Sequence, residues 1–426
     1  MKTIMSAIAS RRKMARKWNA ERGATLVMIA GALAVILAAA ALSIDLGALY
    51  VQRSEAQRAA DAGALAGAQV FATSGCTLNA SCLSGTVELA ATAQATQVAQ
   101  QNLVLGQTPT IPAPTFSAGG GSQTDPLITV TATAPAKTFF LPLSAGATIS
   151  AKATAEAYNP SGSTTGPTIC ASCLKPFFVP NCDPIHLNVI NPNCPTTAGA
   201  FFSNGNIVNG NSIVGNSWQL HLQTSGTQQA VPSQWLEVAF DETAPGCTGG
   251  QGATAWAKGV TQCPTNQITC GTQLCTLNGF KVGPNNQAVG DLISYGNGKP
   301  NGTNATDSVS CSNGVCTMTA GSRNPFAANG QTVTQSGSLV SVPVYDGTMQ
   351  SGGGVVSVVG YMQLFIKDIQ HQGQFDNIDV VIVSATTCGN MSGAGSCGST
   401  GGGSGTGGTA SGGGATLIPV RLVQNP

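Results

Sequence analysis

The chain has 426 residues, length for roughly two or three domains, each able to bury a core. Only 8% of its residues are charged, against about 25% in an average protein, and the net charge is +1. A surface so poor in charge must be covered by Ser, Thr, Asn, Gln and Gly, which suits an extracytoplasmic β-rich protein and argues against a nucleic-acid partner.

The N-terminal tail carries Lys2, Arg11, Arg12, Lys13, Arg16, Lys17 and Arg22 against the single acid Glu21. From Ala24 to Ile44 no residue is charged. About 20 apolar residues at 1.5 Å each are what a helix needs to cross a hydrocarbon core. The positive-inside bias then keeps the tail in the cytoplasm and sends the rest of the chain outward. A cleaved secretory signal would also open with a charged tail and an apolar run, with small residues around Ala38 to Ala41 to suit a peptidase. The run here is longer than the about 7–15 residues usual for a signal, and helix-compatible sequence continues past it, so an uncleaved signal anchor is expected. Arg22-Gly23 looks like the basic-Gly cleavage site of type IV prepilins, but Met28 stands where those carry Glu, so processing is not expected.

Residues 25 to 68 contain no Pro, and Leu42, Leu46 and Leu49 recur at helical spacing, so span and stalk are expected as one helix of roughly 65 Å. Its last turns, Ala59, Ala60, Asp61, Gly63, Ala64 and Gly67 among them, are nearly all small. Small residues let another backbone approach closely, which makes this stretch, with Asp45 and Gly47, a candidate contact for a partner helix. Packing against a helix of the same chain, starting near Thr86, is the alternative. Asp45 stands at the outer end of the span and reads as an interface-exposed carboxylate marking the membrane boundary, with a charge contact to a partner helix as the other reading. Asp61 reads as part of a solvated helix face.

The segment Ser43-Ile-Asp-Leu-Gly-Ala-Leu-Tyr-Val-Gln-Arg53, followed by Gln57-Arg-Ala-Ala-Asp-Ala-Gly-Ala-Leu-Ala-Gly-Ala68, resembles the N-terminal region of the TadE/TadG-like Flp pilus-assembly proteins. Asp45, Gly47, Arg53, Gln57, Ala60, Asp61, Leu65 and Gly67 stand at matching positions. Ala56 departs from the pattern, where Leu is common before the Gln. The resemblance extends to about residue 157. It takes in the Phe-rich link Thr138-Phe-Phe-Leu-Pro-Leu143 between two alternating segments, and it implies a pilus-assembly role.

The helix expected at 86–105 has Ser84 as a cap, Glu88 at its positive end and Gly106 as a stop. Leu127 to Ala134 and Ala147 to Ala157 alternate apolar with polar residues as half-buried strands do. Pro160 to Pro167 reads as a linker. Beyond it, strands are expected at Trp235–Phe240, Ser338–Tyr345, Val355–Asp368, Ile378–Ser384 and Ala415–Gln424, in an antiparallel, mostly β region. A Gly/Ser-rich run at 401–414 is a flexible connection. The repeat in Asn204 to Asn216 reads as a Gly/Asn-rich hairpin, with too few copies for a β-helix.

All 14 cysteines lie on the outward side of the span: Cys76, Cys82, Cys170, Cys173, Cys182, Cys194, Cys247, Cys263, Cys270, Cys275, Cys311, Cys316, Cys388 and Cys397. An even, one-sided count favours disulfides in an oxidising compartment. Cys76/Cys82, Cys270/Cys275, Cys311/Cys316 and Cys388/Cys397 are near enough to close short loops, although sequence assigns no connectivity. Cys170-Ala-Ser-Cys173 has redox and zinc spacing, with Cys182, His186 and Cys194 nearby. A redox motif wants a helix start and a zinc site wants paired ligand motifs, and neither follows, so disulfides are expected. The three histidines, His186, His221 and His371, accompany no Gly-x-Ser-x-Gly or His-Glu-x-x-His pattern. Gly393 to Gly398 matches a dinucleotide fingerprint formally but leads into Gly/Ser sequence instead of a helix.

The expected fold is α+β. A cytoplasmic tail (1–23) and a transmembrane helix (24–44) lead into a helical stalk with a small α/β domain (45–158). A linker (159–167) and a Cys-rich, mostly β region (168–426) follow. The expected function is a non-enzymatic, cofactor-free inner-membrane component of a Gram-negative bacterium. Its periplasmic part would assist or anchor an Flp/Tad pilus together with other pilus-assembly proteins. A surface adhesin using the Cys-rich region, and a thiol enzyme using Cys170 and Cys173, are the rival readings.

Overall fold

A computed structural model describes residues 2–78, 83, 85–118, 125–140, 146–159, 161, 170–171, 173–183, 199–208, 210–222, 234–243, 253–263, 268–277, 282–298, 305–347, 354–372, 375–388 and 420–423. The architecture is α+β. A long helix α1 (Lys2–Ser74) is followed by α2 (Thr86–Gln101), β1 (Thr115–Ala118), β2 (Pro126–Pro135) and β3 (Thr148–Ala157). Then come β4 (Cys170–Ala171), β5 (Phe177–Pro180), β6 (Phe202–Ser203), β7 (Asn206–Ile207), β8 (Ser217–Leu222) and β9 (Gln234–Thr243). Helix α3 (Ala253–Thr261), β10 (Ile268–Thr269), β11 (Gln273–Thr276) and helix α4 (Val282–Ile293) lead to the last strands. These are β12 (Ser308–Ser312), β13 (Val315–Thr319), β14 (Thr332–Val333), β15 (Leu339–Tyr345), β16 (Val355–Gln372), β17 (Phe375–Thr387) and β18 (Val420–Val423).

Helix α1 has no Pro, and residues 24–44 within it carry no charge. Within Thr25–Ser74 the most apolar window reaches a mean hydropathy of 2.6 and none of it is buried, so this helix is long and apolar enough to cross a membrane. It stops at Gly75, whose φ of +81° suits a residue without a Cβ. A Cβ there would also lie 2.5 Å from the carbonyl oxygen of Val383.

The chain divides into two compact units: Met1–Ala60 with Gln100–Ile111 and Thr131–Lys152, and Asp61–Ala99 with Pro112–Val130 and Ala153–Pro426. The first is held by a small apolar cluster of Ala56, Val104, Ala134 and Ala151, with Ile149 against it. Ala56, which replaces the bulkier Leu expected at its position, is fully buried there.

In the second unit the C-terminal turns of α1 meet α2. Helix α2 buries Val87, Ala91, Ala95 and Ala99, one residue per turn, so its inner face is a ladder of methyl groups. Gly63 and Gly67 of α1 face that ladder. A Cβ on Gly63 would come within 2.9 Å of both the Ala95 carbonyl oxygen and the Ala99 Cβ. On Gly67 it would lie 2.4 Å from Ile128 Cδ1, the end of a rotatable side chain. The helix at 86–105 is thus present but four residues shorter at its end, and the Ser84 cap lies outside the described residues.

Sheet order is β1-β2-β3-β18 in one sheet and β11-β16-β15-β5-β9-β8-β17 in the larger one. In the larger sheet β16 also pairs with β17, which closes the circuit β16-β15-β5-β9-β8-β17 and removes exposed edges. The expected strands at 235–240, 338–345, 355–368 and 378–384 are all present. The pairing is not wholly antiparallel, because β5 lies parallel to β15 and β8 to β9. On one face Val340, Val342, Val344, Met362 and Leu364 join a core with Trp256 of α3 and Ala288, Val289, Leu292 and Ile293 of α4. A second core gathers Phe178, Tyr345, Val356, Val358 and Tyr361. Residues 202–207 form a β6–β7 hairpin at the start of the short repeat, and the strand at 415–424 is described only as β18.

The packing of α1 on α2 makes a sharp prediction. Gly63→Val should lower stability by about 1–3 kcal/mol, because backbone atoms of α2 must move to admit it. Gly67→Ala should cost less, since Ile128 can rotate and alanine gains up to about 1 kcal/mol of helix propensity. Thermal unfolding of the two variants in detergent checks the order.

Candidate functional site

The outer surface of α1 stays apolar past the expected end of the span: Leu42, Ile44, Leu46, Tyr50 and Val51 are exposed. Asp45 in their midst is 0% exposed. It is not the interface-exposed carboxylate the sequence suggested, because the chain's own backbone covers it. The N–H of Phe139 donates to Asp45 Oδ1 at 2.6 Å and the N–H of Phe140 donates to Oδ1 and Oδ2 at 3.2 and 3.1 Å. Charge-assisted bonds to backbone amides are among the stronger kind, and they offset the cost of removing a carboxylate from water.

Two turns on, on the same face, Gln52 is also fully buried. Its Nε2 donates to the Lys137 carbonyl at 2.7 Å and its Oε1 accepts the Lys137 N–H at 2.9 Å, so one side chain satisfies both backbone groups of that residue. Glu55 Oε2 accepts the N–H of Leu105 at 2.7 Å, and Gln57 Nε2 donates to the Lys152 carbonyl at 3.2 Å. Gln52 carries no motif of its own; its spacing from Asp45, which puts both on one helix face, was the available signal. The link between β2 and β3 is thereby pinned to α1 at 137–140, while 141–145 lie outside the described residues.

Of the other residues expected to meet a partner helix, Ala59, Ala60 and Ala64 are fully buried, and Gly63 and Gly67 pack on α2 and β2 of the same chain. Gly47 is exposed with nothing within 4 Å of a Cβ placed on it. Asp61 is half-buried.

In the second unit two polar knots hold loops together. Asn159 donates its N–H to Asp125 Oδ1 at 2.9 Å and its Nδ2 to the Ala385 carbonyl at 3.2 Å. Its Oδ1 accepts from Ser161 Oγ at 2.7 Å and Thr386 Oγ1 at 3.2 Å. Burial raises the Asp125 carboxyl to about 6, against the opposing bond from Asn159; nearby Glu156 raises it further and Arg421 lowers it. The other knot is the buried Asp307, which accepts from Tyr295 Oη at 2.5 Å, Ser336 Oγ at 2.6 Å, the Gly321 N–H at 2.8 Å and Asn324 Nδ2 at 3.0 Å. With so many donors its lone pairs are occupied, and burial with the adjacent carboxylate pushes the Tyr295 phenol well above its ordinary value. Lys175, buried with its Nζ on the Gln262 carbonyl at 2.7 Å, is pulled down to about 8 by desolvation.

The cysteines are staples, partly in pairings other than the nearest ones. Cys311–Cys316 closes the β12–β13 hairpin as expected. Cys270 does not pair with Cys275, nor Cys388 with Cys397: Cys270 is bonded to Cys388, 118 residues away. Gly271 and Cys388 both hydrogen-bond from their N–H groups to β16, at Val358 and Val359, and that shared strand brings the two thiols together. Cys173 is bonded to Cys263, which removes the Cys170/Cys173 redox pair. Cys76, Cys182 and Cys275 are also disulfide-bonded, and no described cysteine is free. Cys82, Cys194, Cys247, Cys397, His186, the 393–398 glycine motif and the 401–414 run lie outside the described residues, as do the side chains of Cys170 and His371.

His221 Nδ1 is 2.7 Å from Asn377 Oδ1. Among the described residues no group of three or more His, Cys, Asp or Glu side chains is placed to hold a metal. A cavity of about 550 Å³ opens between α2 and the β13–β14 hairpin, lined by Val70, Thr73, Gln94, Met318, Gln331 and Val333. Its walls offer hydroxyl, amide and aliphatic groups and no acid–base pair.

Residues 23–70 match the family model Tad, described as "Putative Flp pilus-assembly TadE/G-like". The matched segment contains the apolar span, the buried Asp45 and Gln52, and the small residues packed on α2. Comparison with curated proteins and with solved structures gives no match.

Two outcomes are expected. Asp45→Ala leaves the amides of Phe139 and Phe140 without their acceptor, at a cost of about 1–3 kcal/mol. Hydrogen exchange at those two amides should quicken, by about tenfold for each 1.4 kcal/mol lost. Asp45→Asn, which keeps an acceptor oxygen, should fall between. For Asp125 burial raises the folded value from its ordinary 3.8 to about 6. Its contribution is therefore fully present below about 3.8 and is lost as pH rises through about 6. Asp125→Asn should flatten the stability profile between those two values, as read from denaturant midpoints across the range.

Proposed function

We propose that this chain is a single-pass inner-membrane protein of a Gram-negative bacterium. Its short basic tail is cytoplasmic and its bulk periplasmic, and it assists the assembly or anchoring of an Flp/Tad pilus without catalysing a reaction. The observation that carries this reading is the family match at 23–70, which falls on the segment where an apolar span passes into a stalk with its polar residues tied to the chain's own backbone. The seven N-terminal cations support the orientation. The disulfides support an oxidising compartment. A non-enzymatic role accords with polar groups spent on structure, such as the saturated Asp307.

Because the small-residue face of α1 is taken by α2 and β2, the pilus-assembly partners are assigned to the Cys-rich β region instead of that face. The test is a count of thin surface filaments by electron microscopy in a clean deletion strain, with and without a plasmid-borne copy. Filaments should vanish and return with the gene. An unchanged count removes the assembly role and leaves adhesion by the β region as the reading to pursue.

A further inference from the structure

The uncharged exterior of α1 is longer than the span itself. From Thr25 to Val51 the sequence contains one charged residue, Asp45, and it is buried; Arg53 is the first exposed charge. At 1.5 Å per residue that exterior covers about 40 Å, more than the about 30 Å of a hydrocarbon core and close to the about 40–45 Å that includes the interfacial layers. Leu46, Tyr50 and Val51 then fall in the outer interface. Tyr50, 77% exposed, is the residue type enriched at that depth.

Phe139 and Phe140 are held at the same level. Their N–H groups bond Asp45, and Gln52 fixes Lys137 just before them. Yet their side chains are 72% and 59% exposed. Two adjacent phenylalanines left uncovered forgo burial on the order of 1.5–3 kcal/mol each in water. Among the described residues no apolar group covers these two rings, although the loop that carries them is pinned by its backbone.

We propose that Phe139 and Phe140 dip into the outer leaflet beside α1, a second membrane contact that sets the depth of the anchor. The partner is lipid, because the rings are clamped to the helix at the point where its lipid-facing surface continues without a charge. Asp45 is the positioning residue: it orders the loop without facing the bilayer as an exposed ion. The proposal rests on the reading of α1 as a membrane span.

The test places p-benzoylphenylalanine at position 139, 140, 36 or 326 of the full chain. The protein is reconstituted in nanodiscs of phosphatidylethanolamine and phosphatidylglycerol, irradiated, and analysed for lipid adducts by mass spectrometry. Ile36 lies in the span, and Phe326 is an exposed phenylalanine of the second unit. Adducts are expected at 139, 140 and 36 but not at 326, with loss of the 139 adduct in an Asp45→Ala background. Adducts at 36 with none at 139 or 140, or protein cross-links there in place of lipid, overturn the proposal and leave the span intact. Absence of adducts at 36 overturns the span and the proposal with it.

Discussion

A carboxylate buried on an otherwise apolar stretch of helix must find its partners within the protein, and Asp45 finds two backbone amides of its own chain. Gln52 does the same for Lys137, and Glu55 for Leu105. These side chains lie along one side of α1, and each bonds the backbone of a loop. The link that joins β2 to β3 is therefore set by the helix and not by its own sequence. The polar residues of the stalk are part of its packing, and a substitution at any of them acts first on a loop.

Further along, the same helix changes from polar clamps to close contact. Gly63 and Gly67 let α2 approach until alanine methyls and carbonyl oxygens fill the gap. Such a seam buries little area per residue, so its stability comes from dense contact over several turns. The small-residue motif serves packing within the chain at these positions. Arg53 and Arg58 of α1 are exposed beyond the apolar surface, while Ala56, Ala59 and Ala60 between and beside them are buried, so the helix has one side for its own fold and another for its surroundings.

What was legible in the sequence was local. A run without charge predicts the long apolar helix, and alternation predicts β2, β3, β15, β16 and β17, since both depend only on neighbours in the chain. Ala56, Ala60 and Gly63 sit where helical periodicity puts them. The burial of Asp45 was not legible, because its partners come from 94 and 95 residues away and bond through backbone, which leaves no trace in residue type. Cys270 illustrates the same limit: proximity in sequence points to Cys275, while the register of β16 brings up Cys388. Helix α4 was missed behind its Gly, Pro and Asn residues. Its buried positions Ala288, Val289, Leu292 and Ile293 do follow a helical stripe, but a single short turn-rich segment hides it.

Strand β18 bears on how such a chain reaches its fold. Val420–Val423 pairs antiparallel with β3, next to which Arg421 bonds Glu156 and lies over the ring of Tyr158 at 4.3 Å. The four-stranded sheet that begins with β1 therefore takes its last strand from residues more than 250 positions later, as the 265-residue separation of Glu156 and Arg421 records. Long-range pairing has to pay its closure entropy before it is rewarded. In a chain synthesised N-terminus first, β3 keeps an open edge until residues 420–423 have been made. The small α/β module expected from the sequence at 45–158 thus takes a strand from far outside those bounds, because the edge of β3 is completed by residues 420–423.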